Sequence, residues 1–289
     1  MLKQLSIITV NYNGLKDTCE LIDTITFDEL SLEVIVVDNG SKVDEAAEIK
    51  KLYPQVTTIR SEKNLGFAGG NNLGIKAAKG KYLYFVNNDT LSPLNIQALI
   101  NRLKSSDKIG MVCPKIYFSW EKGLIQFAGY TPLSSITIRN QAIGCGEKDK
   151  GQYDTPHPTP YAHGAAMMVK REVVEKAGMM PECYFLYYEE LDWSMMIRRA
   201  GYDIWYEPAA TIYHKESQST GQKSPLRTFY ITRNRLLFVK RNVDNIEKYV
   251  SYIYLICLVA VKDMIKYIIK DRKDMAKAVF NGVSSFLNH

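Results

Sequence analysis

The chain of 289 residues is 46% hydrophobic and 24% charged, a composition that buries a large core and excludes disordered and collagen-like classes. Its net charge of +6 is unevenly placed: residues 1–214 hold 23 Lys and Arg against 25 Asp and Glu, residues 215–289 hold 14 against 6, so the tail invites an anionic partner, lipid headgroups or nucleic acid. Five cysteines, widely spaced and never in a C-x-x-C pair, argue against a disulfide framework or zinc site and for a reducing cytosol.

Met1 to Asn11 is too short an apolar run for a signal peptide and reads as a first strand. No stretch reaches the ~20 uncharged apolar residues of a membrane span; the best, Val250 to Val261, runs directly into Lys262, Asp263 and Lys266. Through the first hundred residues, β-branched apolar runs alternate with amphipathic segments, the pattern of βαβ units around a buried parallel sheet. Strands are expected at Leu5 to Asn11, Glu33 to Asp38, Val56 to Arg60 and Tyr82 to Asn87, with helices near Leu15 to Ile25, Asp44 to Tyr53, Ala68 to Ala78 and Leu94 to Lys104. From Gly110 to about Tyr161 the pattern turns to short strands, and Gln152 to Pro160 reads as a loop because three prolines fix φ and remove donors. A strand near Ala165 to Lys170, helices near Arg171 to Ala177 and Glu189 to Ala200, and a short run Ala210 to His214 follow; after Ser224 everything reads helical.

In an open parallel sheet, ligands bind beyond the carboxyl ends of the strands. Three strands here end in Asn11-Tyr12-Asn13-Gly14, Asp38-Asn39-Gly40-Ser41 and Asn87-Asn88-Asp89-Thr90. Such residues singly build turns, but three such ends argue for a site. The connection Asn64 to Gly74 places four glycines where a helix begins, so backbone N–H groups can approach a ligand and cradle a nucleotide. It matches neither G-x-G-x-x-G nor the phosphate loop. Asp89, at a strand tip, can share a divalent cation with a diphosphate. Glu189, Glu190 and Asp192 open a helix, where acids also suit the dipole; crowding would raise one pKa and create a general base. His214 ends a strand and could partner a carboxylate around Mn²⁺ or Mg²⁺. His163 could face a substrate, although its place near the proline loop favours a role in shape.

Taken in order, these motifs resemble the family 2 glycosyltransferases, inverting enzymes of the GT-A nucleotide-sugar fold, and particularly rhamnosyltransferase-like enzymes of bacterial surface polysaccharides. The resemblance spans roughly residues 4 to 241 and rests on Ser6 to Gly14, Val34 to Ser41, Asn64 to Gly74, Asn87-Asn88-Asp89, Tyr188 to Asp192 and Arg233-Asn234. It implies an α/β fold with a mostly parallel central sheet, flanking helices and a C-terminal helical extension, divided as residues 1–223 and 224–289. It further implies a nucleotide-sugar donor held by Thr9, Asn11, Asp38, Asn64, Gly66, Phe67, Asn71 and Asn88, with a divalent cation, Mn²⁺ or Mg²⁺, at Asp89 and His214. Gly164 and Ala165, beside His163, would line the acceptor site. Glu190 aligns with the family's catalytic base, although Glu189 and Asp192 remain alternatives. The sequence departs from the family at the metal motif, Asn-Asn-Asp in place of Asp-x-Asp, and by a glutamate where the base is usually aspartate.

The expected reaction is single displacement of a nucleoside diphosphate by a hydroxyl of a glycan or lipid-linked acceptor; a nucleotide-sugar-binding module without turnover is the alternative. Lys262, Lys266, Lys270, Lys273 and Lys277 fall at helical spacing opposite Ile265, Tyr267, Ile268, Ile269 and Val279, the profile of one basic amphipathic helix lying on an anionic membrane. A cytoplasmic protein, peripheral on the inner face of the membrane, fits that profile; packing against its own domain or a homodimer partner fits it too. Tyr249, Tyr252, Tyr254 and Tyr267 suit burial or a lipid interface better than base stacking, so no nucleic-acid partner is expected.

Overall fold

The computed structural model describes residues 3–26, 31–216 and 224–288. Its first half is the βαβ alternation that the apolar periodicity predicts. Strands β1 (Leu5–Asn11), β2 (Leu32–Asn39), β3 (Thr57–Ser61) and β4 (Tyr82–Val86) are joined by helices α1 (Leu15–Asp23), α2 (Glu45–Leu52) and α3 (Gly66–Ala77). β1 pairs in parallel with both β2 and β4, and β2 with β3. Ile7, Ile8 and Val34 to Val37 are buried, as strands covered on both faces require.

Beyond β4 the sheet becomes mixed. β5 (Thr90–Leu94), helix α4 (Ile96–Lys104), β6 (Ile109–Phe118), β7 (Ile125–Phe127), β8 (His157–Pro158) and β9 (Ala166–Lys170) lead to helices α5 (Arg171–Ala177) and α6 (Glu189–Arg199) and then to β10 (Asp203–His214). The main path runs β3-β2-β1-β4-β9-β6-β10-β5, with β9 antiparallel to both β4 and β6. Three differences from the sequence reading have local causes. β5 takes residues 90–94, where the helix is expected to begin at Leu94, and its Pro93 is tolerated because β5 ends the path as an edge strand. β10 extends back to Asp203, broken by a register shift between Glu207 and Thr211 around Pro208. Within the proline loop, His157–Pro158 pairs with Trp205 and Tyr206.

The C-terminal segment forms α7 (Pro225–Asn242), α8 (Asn245–Ile253), a π-helical segment (Tyr254–Ala260), α9 (Val261–Ile269) and α10 (Lys273–Leu287). Ser224 caps α7 by accepting Arg227 N–H, with Pro225 in the first turn. The expected division after residue 223 lies outside the described residues. The single lysine-striped helix through Lys277 is corrected here. The chain turns at Lys270 to Arg272, with Asp271 at φ 52°, and α10 folds back onto α7. Gly282 allows this approach, since a Cβ there would stand 2.9 Å from Phe229 O, and Val279 is buried rather than sharing an outer face with Ile265. Tyr184, Ile138, Leu236, Phe238, Val239 and Leu255 form a second apolar cluster beneath these helices. No helix among the described residues is long and apolar enough to cross a membrane.

Candidate active site

The carboxyl ends of β1, β2 and β4 meet in one crevice, and the polar residues at those ends are chiefly bonded to one another. Asn88 Nδ2 donates to Thr18 Oγ1 at 3.1 Å, Thr18 Oγ1 donates to Asn11 Oδ1 at 2.7 Å, and Asn11 Nδ2 donates to Glu45 Oε2 at 2.7 Å. Asp38 is fully buried, accepting from Arg60 Nη1 at 2.6 Å and from Ser41 N–H at 3.2 Å. Asn64 Oδ1 accepts from Gly66 N–H at 2.8 Å, and Asn71 Nδ2 donates to Phe67 O at 3.0 Å. Asn39 fastens β2 to the start of α3, donating to Asn64 Oδ1 and Gly66 O and accepting from Leu65 N–H. The expected donor residues therefore lie together, with their side chains setting loop shape. Thr9 differs: its Oγ1 is buried without a hydrogen-bond partner among the described residues.

Gly66 has φ +74°, and a Cβ there would lie 2.1 Å from Phe185 O. The Phe67 N–H donates to that same carbonyl at 2.8 Å. The glycine-rich turn is thus clamped to the segment before α6. That segment is strained: Phe185, Tyr187 and Tyr188 all have positive φ, at 67°, 69° and 79°, a left-handed conformation costly for bulky residues. α7 holds it in place. Asn234 Nδ2 donates to the carbonyls of Tyr184, Leu186 and Tyr187, and Arg233 Nη2 to those of Cys183 and Tyr184.

This strained segment delivers two adjacent carboxylates. Glu189 is buried, its Oε2 has no hydrogen-bond partner among the described residues, and burial followed by the Glu190 charge drives its pKa well above the usual carboxylate range. Burial also raises Glu190. A Cβ on Gly164 would stand 3.7 Å from Glu190 Cγ and 3.9 Å from Phe67, so Gly164 lies between the glycine-rich turn and the acid. The Tyr130 hydroxyl is pushed up by burial and by the Glu190 carboxylate. Asp192 has a different surrounding: Oδ1 accepts from Asn242, Oδ2 from Tyr184 and Arg241, in a fully buried knot between α6 and α7. Both of its oxygens are thus taken up in bonds that join α6 to α7.

Asp89 and His214 meet across the pairing of β5 with β10, in which His214 stands opposite Thr90. Oδ1 of Asp89 and Nε2 of His214 are 3.2 Å apart, yet neither Asp89 oxygen nor His214 Nε2 has a hydrogen-bond partner among the described residues. His214 Nδ1–H donates to Gln126 Oε1 on β7 at 2.9 Å, so in the neutral ring Nε2 presents a lone pair to a carboxylate. Three buried acceptor atoms converging without a donor are costly unless a cation sits among them. Beside them, His163 lies 6.3 Å from His214 and 6.0 Å from Tyr130, centroid to centroid. Its Nδ1 accepts from Ala165 N–H at 3.1 Å, and burial and His214 hold its pKa down to about 3. His163 and Gly164 thus connect the Asp89–His214 pair to Glu190 within one crevice.

Gln126, Tyr130, Asn39 and Glu45 are members of this site that sequence reasoning leaves unassigned. Asn39 and Glu45 stand beside motifs the sequence displays; Gln126, on β7 and 88 residues from its partner, carries no sequence signal.

A family model described as Glycosyl transferase family 2 matches residues 6–178. The low-salt glycan biosynthesis hexosyltransferase Agl10 of Haloferax volcanii is 27% identical over 262 residues, which cover 86% of this chain and 80% of that protein. An N-acetylglucosaminyl-diphospho-decaprenol L-rhamnosyltransferase of Mycobacterium tuberculosis is 24% identical over 215 residues, 67% of this chain and 70% of the relative. Among solved structures, the Pyrobaculum calidifontis mannosyltransferase PcManGT in complex with GDP-Man and Mn²⁺ superposes with a TM-score of 0.59 at 15% identity, covering 99% of this chain and 88% of that one. That likeness shows the fold, a central mixed sheet with flanking helices.

Proposed function

The chain belongs to glycosyl transferase family 2, and from that premise we propose that it transfers a sugar from a nucleoside-diphosphate donor to an acceptor hydroxyl with inversion, using Glu190 as the base. The observation that carries this reading is the group of unpartnered acceptors at Asp89 and His214 beside a raised carboxylate at Glu190. No cluster of three or more His, Cys, Asp or Glu able to hold a metal occurs among the described residues. Two protein ligands suit a hard cation that completes its shell with phosphate oxygens and water, and Asp89 and His214 would hold it. When bound, the ion supplies Lewis-acid stabilisation of the charge gathering on the leaving diphosphate.

The chain's own residues do the rest. Asn39, Asn64 and Asn71 hold the turn at the start of α3 in shape by taking up its N–H and carbonyl groups, and Thr9 Oγ1, without a partner among the described residues, is the group left over for the donor. Gln126 orients the His214 ring by accepting its Nδ1–H, so that the neutral imidazole turns Nε2 toward Asp89. Glu190 takes the acceptor proton as the acceptor oxygen bonds to the anomeric carbon; the bond from that carbon to the diphosphate oxygen breaks, its electron pair leaving with the nucleoside diphosphate on the opposite face. Glu189, buried beside Glu190, keeps its proton and so adds no second charge to the acceptor side.

The rhamnosyl and decaprenyl-linked chemistry named for the mycobacterial relative supports a deoxyhexosyl donor and a lipid-linked acceptor, and the glycan role named for the haloarchaeal relative supports polysaccharide or glycan assembly as the setting. A thermal-shift panel of UDP, dTDP and GDP, each with and without Mn²⁺, tests the donor site. One diphosphate is expected to raise Tm only together with Mn²⁺, and to lose that effect in Asp89→Asn.

A further inference from the structure

The rod formed by α8, the π-helical segment and α9 turns one face inward and leaves the other uncovered. Its inner face is accounted for: Leu255 and Ala260 are buried, and Ser251 Oγ donates to Ile136 O at 3.0 Å. Its outer face is apolar along its whole length. Ile246, Ile253, Leu258, Ile265, Ile268 and Ile269 are 52–79% exposed, a continuous stripe of large aliphatics rather than scattered surface residues. Residues 253, 257, 261 and 265 stand four apart, and in α-helix each such step drifts about 40° round the axis. The seven-residue π-helical segment Tyr254–Ala260 is wound more loosely, which offsets that drift and keeps the stripe on one side.

We propose that this face is a seat for an anionic lipid bilayer, with the rod lying in the plane of the interface rather than crossing it. The charge beside the stripe selects this occupant. Lys262, Lys266, Lys270 and Lys273 are all exposed at the α9 end against two acids, Asp263 and Asp271, since Asp274 is paired with Arg272. A second copy docking isologously with the rods parallel would set this lysine row near its own image, and an antiparallel one would offer it only Asp244 and Glu247, whereas anionic headgroups neutralise all the lysines while the aliphatics enter the acyl boundary. The rod's inner face packs on the same apolar cluster as Tyr184 and Tyr188, so a seated rod lies one layer from the segment that delivers Glu190. Bilayer binding does not depend on the proposed transfer reaction and is read without it.

The test is flotation of the full chain with vesicles of phosphatidylcholine alone or mixed with phosphatidylglycerol, at low and high salt. Binding is expected to phosphatidylglycerol vesicles only, weakened by salt, and to fall by about tenfold or more in Ile265→Glu/Ile269→Glu and in Lys262→Glu/Lys266→Glu. These positions are exposed, so circular dichroism should show both variants folded. Equal flotation of the wild type and the Ile265→Glu/Ile269→Glu variant overturns the proposal. So does a wild-type dimer by light scattering that the same variant converts to monomer while vesicles capture neither.

Discussion

Gln126 accepts the Nδ1–H of His214 at 2.9 Å, a bond that in the neutral ring leaves Nε2 facing Asp89 as a lone pair. Without it the ring could present N–H to the carboxylate, and the two would satisfy each other instead of a cation. Gln126→Leu should therefore leave the fold intact while weakening Mn²⁺ by about 10- to 100-fold, as loss of a group orienting a ligand histidine does. Mn²⁺ titration of nucleoside-diphosphate binding measures it.

Glu189 and Glu190 are neighbours to which the proposed reaction gives unequal tasks, and substitution separates them. Glu190→Gln should preserve donor binding and lower kcat by about 10²- to 10⁴-fold, the usual contribution of a positioned base. Glu189→Gln, which copies the protonated acid, should keep most of the wild-type turnover. Steady-state kinetics on the two variants reads both outcomes, and the reverse pattern would transfer the role of base to Glu189.

The same pair fixes the direction of two pH effects. Burial raises Glu190, and the base works deprotonated, so kcat/KM should rise with pH through a midpoint above the ordinary glutamate value of about 4.3. Glu189 is also raised. Between the unfolded and folded pKa values the native state holds the proton that the unfolded state has released, so its contribution is most favourable below the unfolded value and stability falls as pH rises through that window. Glu189→Gln should thus raise Tm at neutral pH relative to wild type and lose that advantage near pH ~4; differential scanning calorimetry at the two pH values checks it.

The strained segment ahead of α6 depends on α7. Asn234→Ala removes donors to three carbonyls, of which Tyr184 O keeps Arg233; a loss of roughly 2–4 kcal/mol follows at about 1 kcal/mol or more per bond. Because the released segment carries Glu190, kcat should fall with little change in donor binding. Chemical denaturation together with kinetics checks both parts.

Gly66→Ala tests the clamp from its other side. At φ +74°, with Phe185 O only 2.1 Å from the added carbon, the substitution should cost more than about 2 kcal/mol and loosen the turn that faces the donor. Thermal unfolding gives the first and nucleotide titration the second.

Strands β1, β2 and β4 are legible in the sequence because burial on both faces writes a continuous apolar run, as in Val34 to Val37, and because each run stops at Asn or Asp; β3, partly exposed at one end of the path, is legible from its Thr and Ile content alone. β5 is not legible: Pro93 masks it, and only its place at the sheet edge makes it a strand. The C-terminal lysines show the limit of periodicity, since steps of four and three continue across Lys270 to Arg272 although the chain turns there; side-chain spacing does not encode the left-handed Asp271. In the site, Asp89, Glu190 and His214 are conspicuous at element ends, whereas Asp192 looks equivalent to Glu189 until its bonds to Tyr184, Arg241 and Asn242 are seen. Gln126 is invisible in one dimension because it acts through a partner on another strand.

The decisive measurement is anomalous diffraction from crystals grown with Mn²⁺ and the nucleoside diphosphate selected by thermal shift. A manganese peak in contact with both Asp89 and His214 Nε2, bridged to the diphosphate and within the crevice bounded by Glu190, is the expected result. A peak on other residues, or a diphosphate ordered elsewhere with Asp89 and His214 untouched, would contradict it.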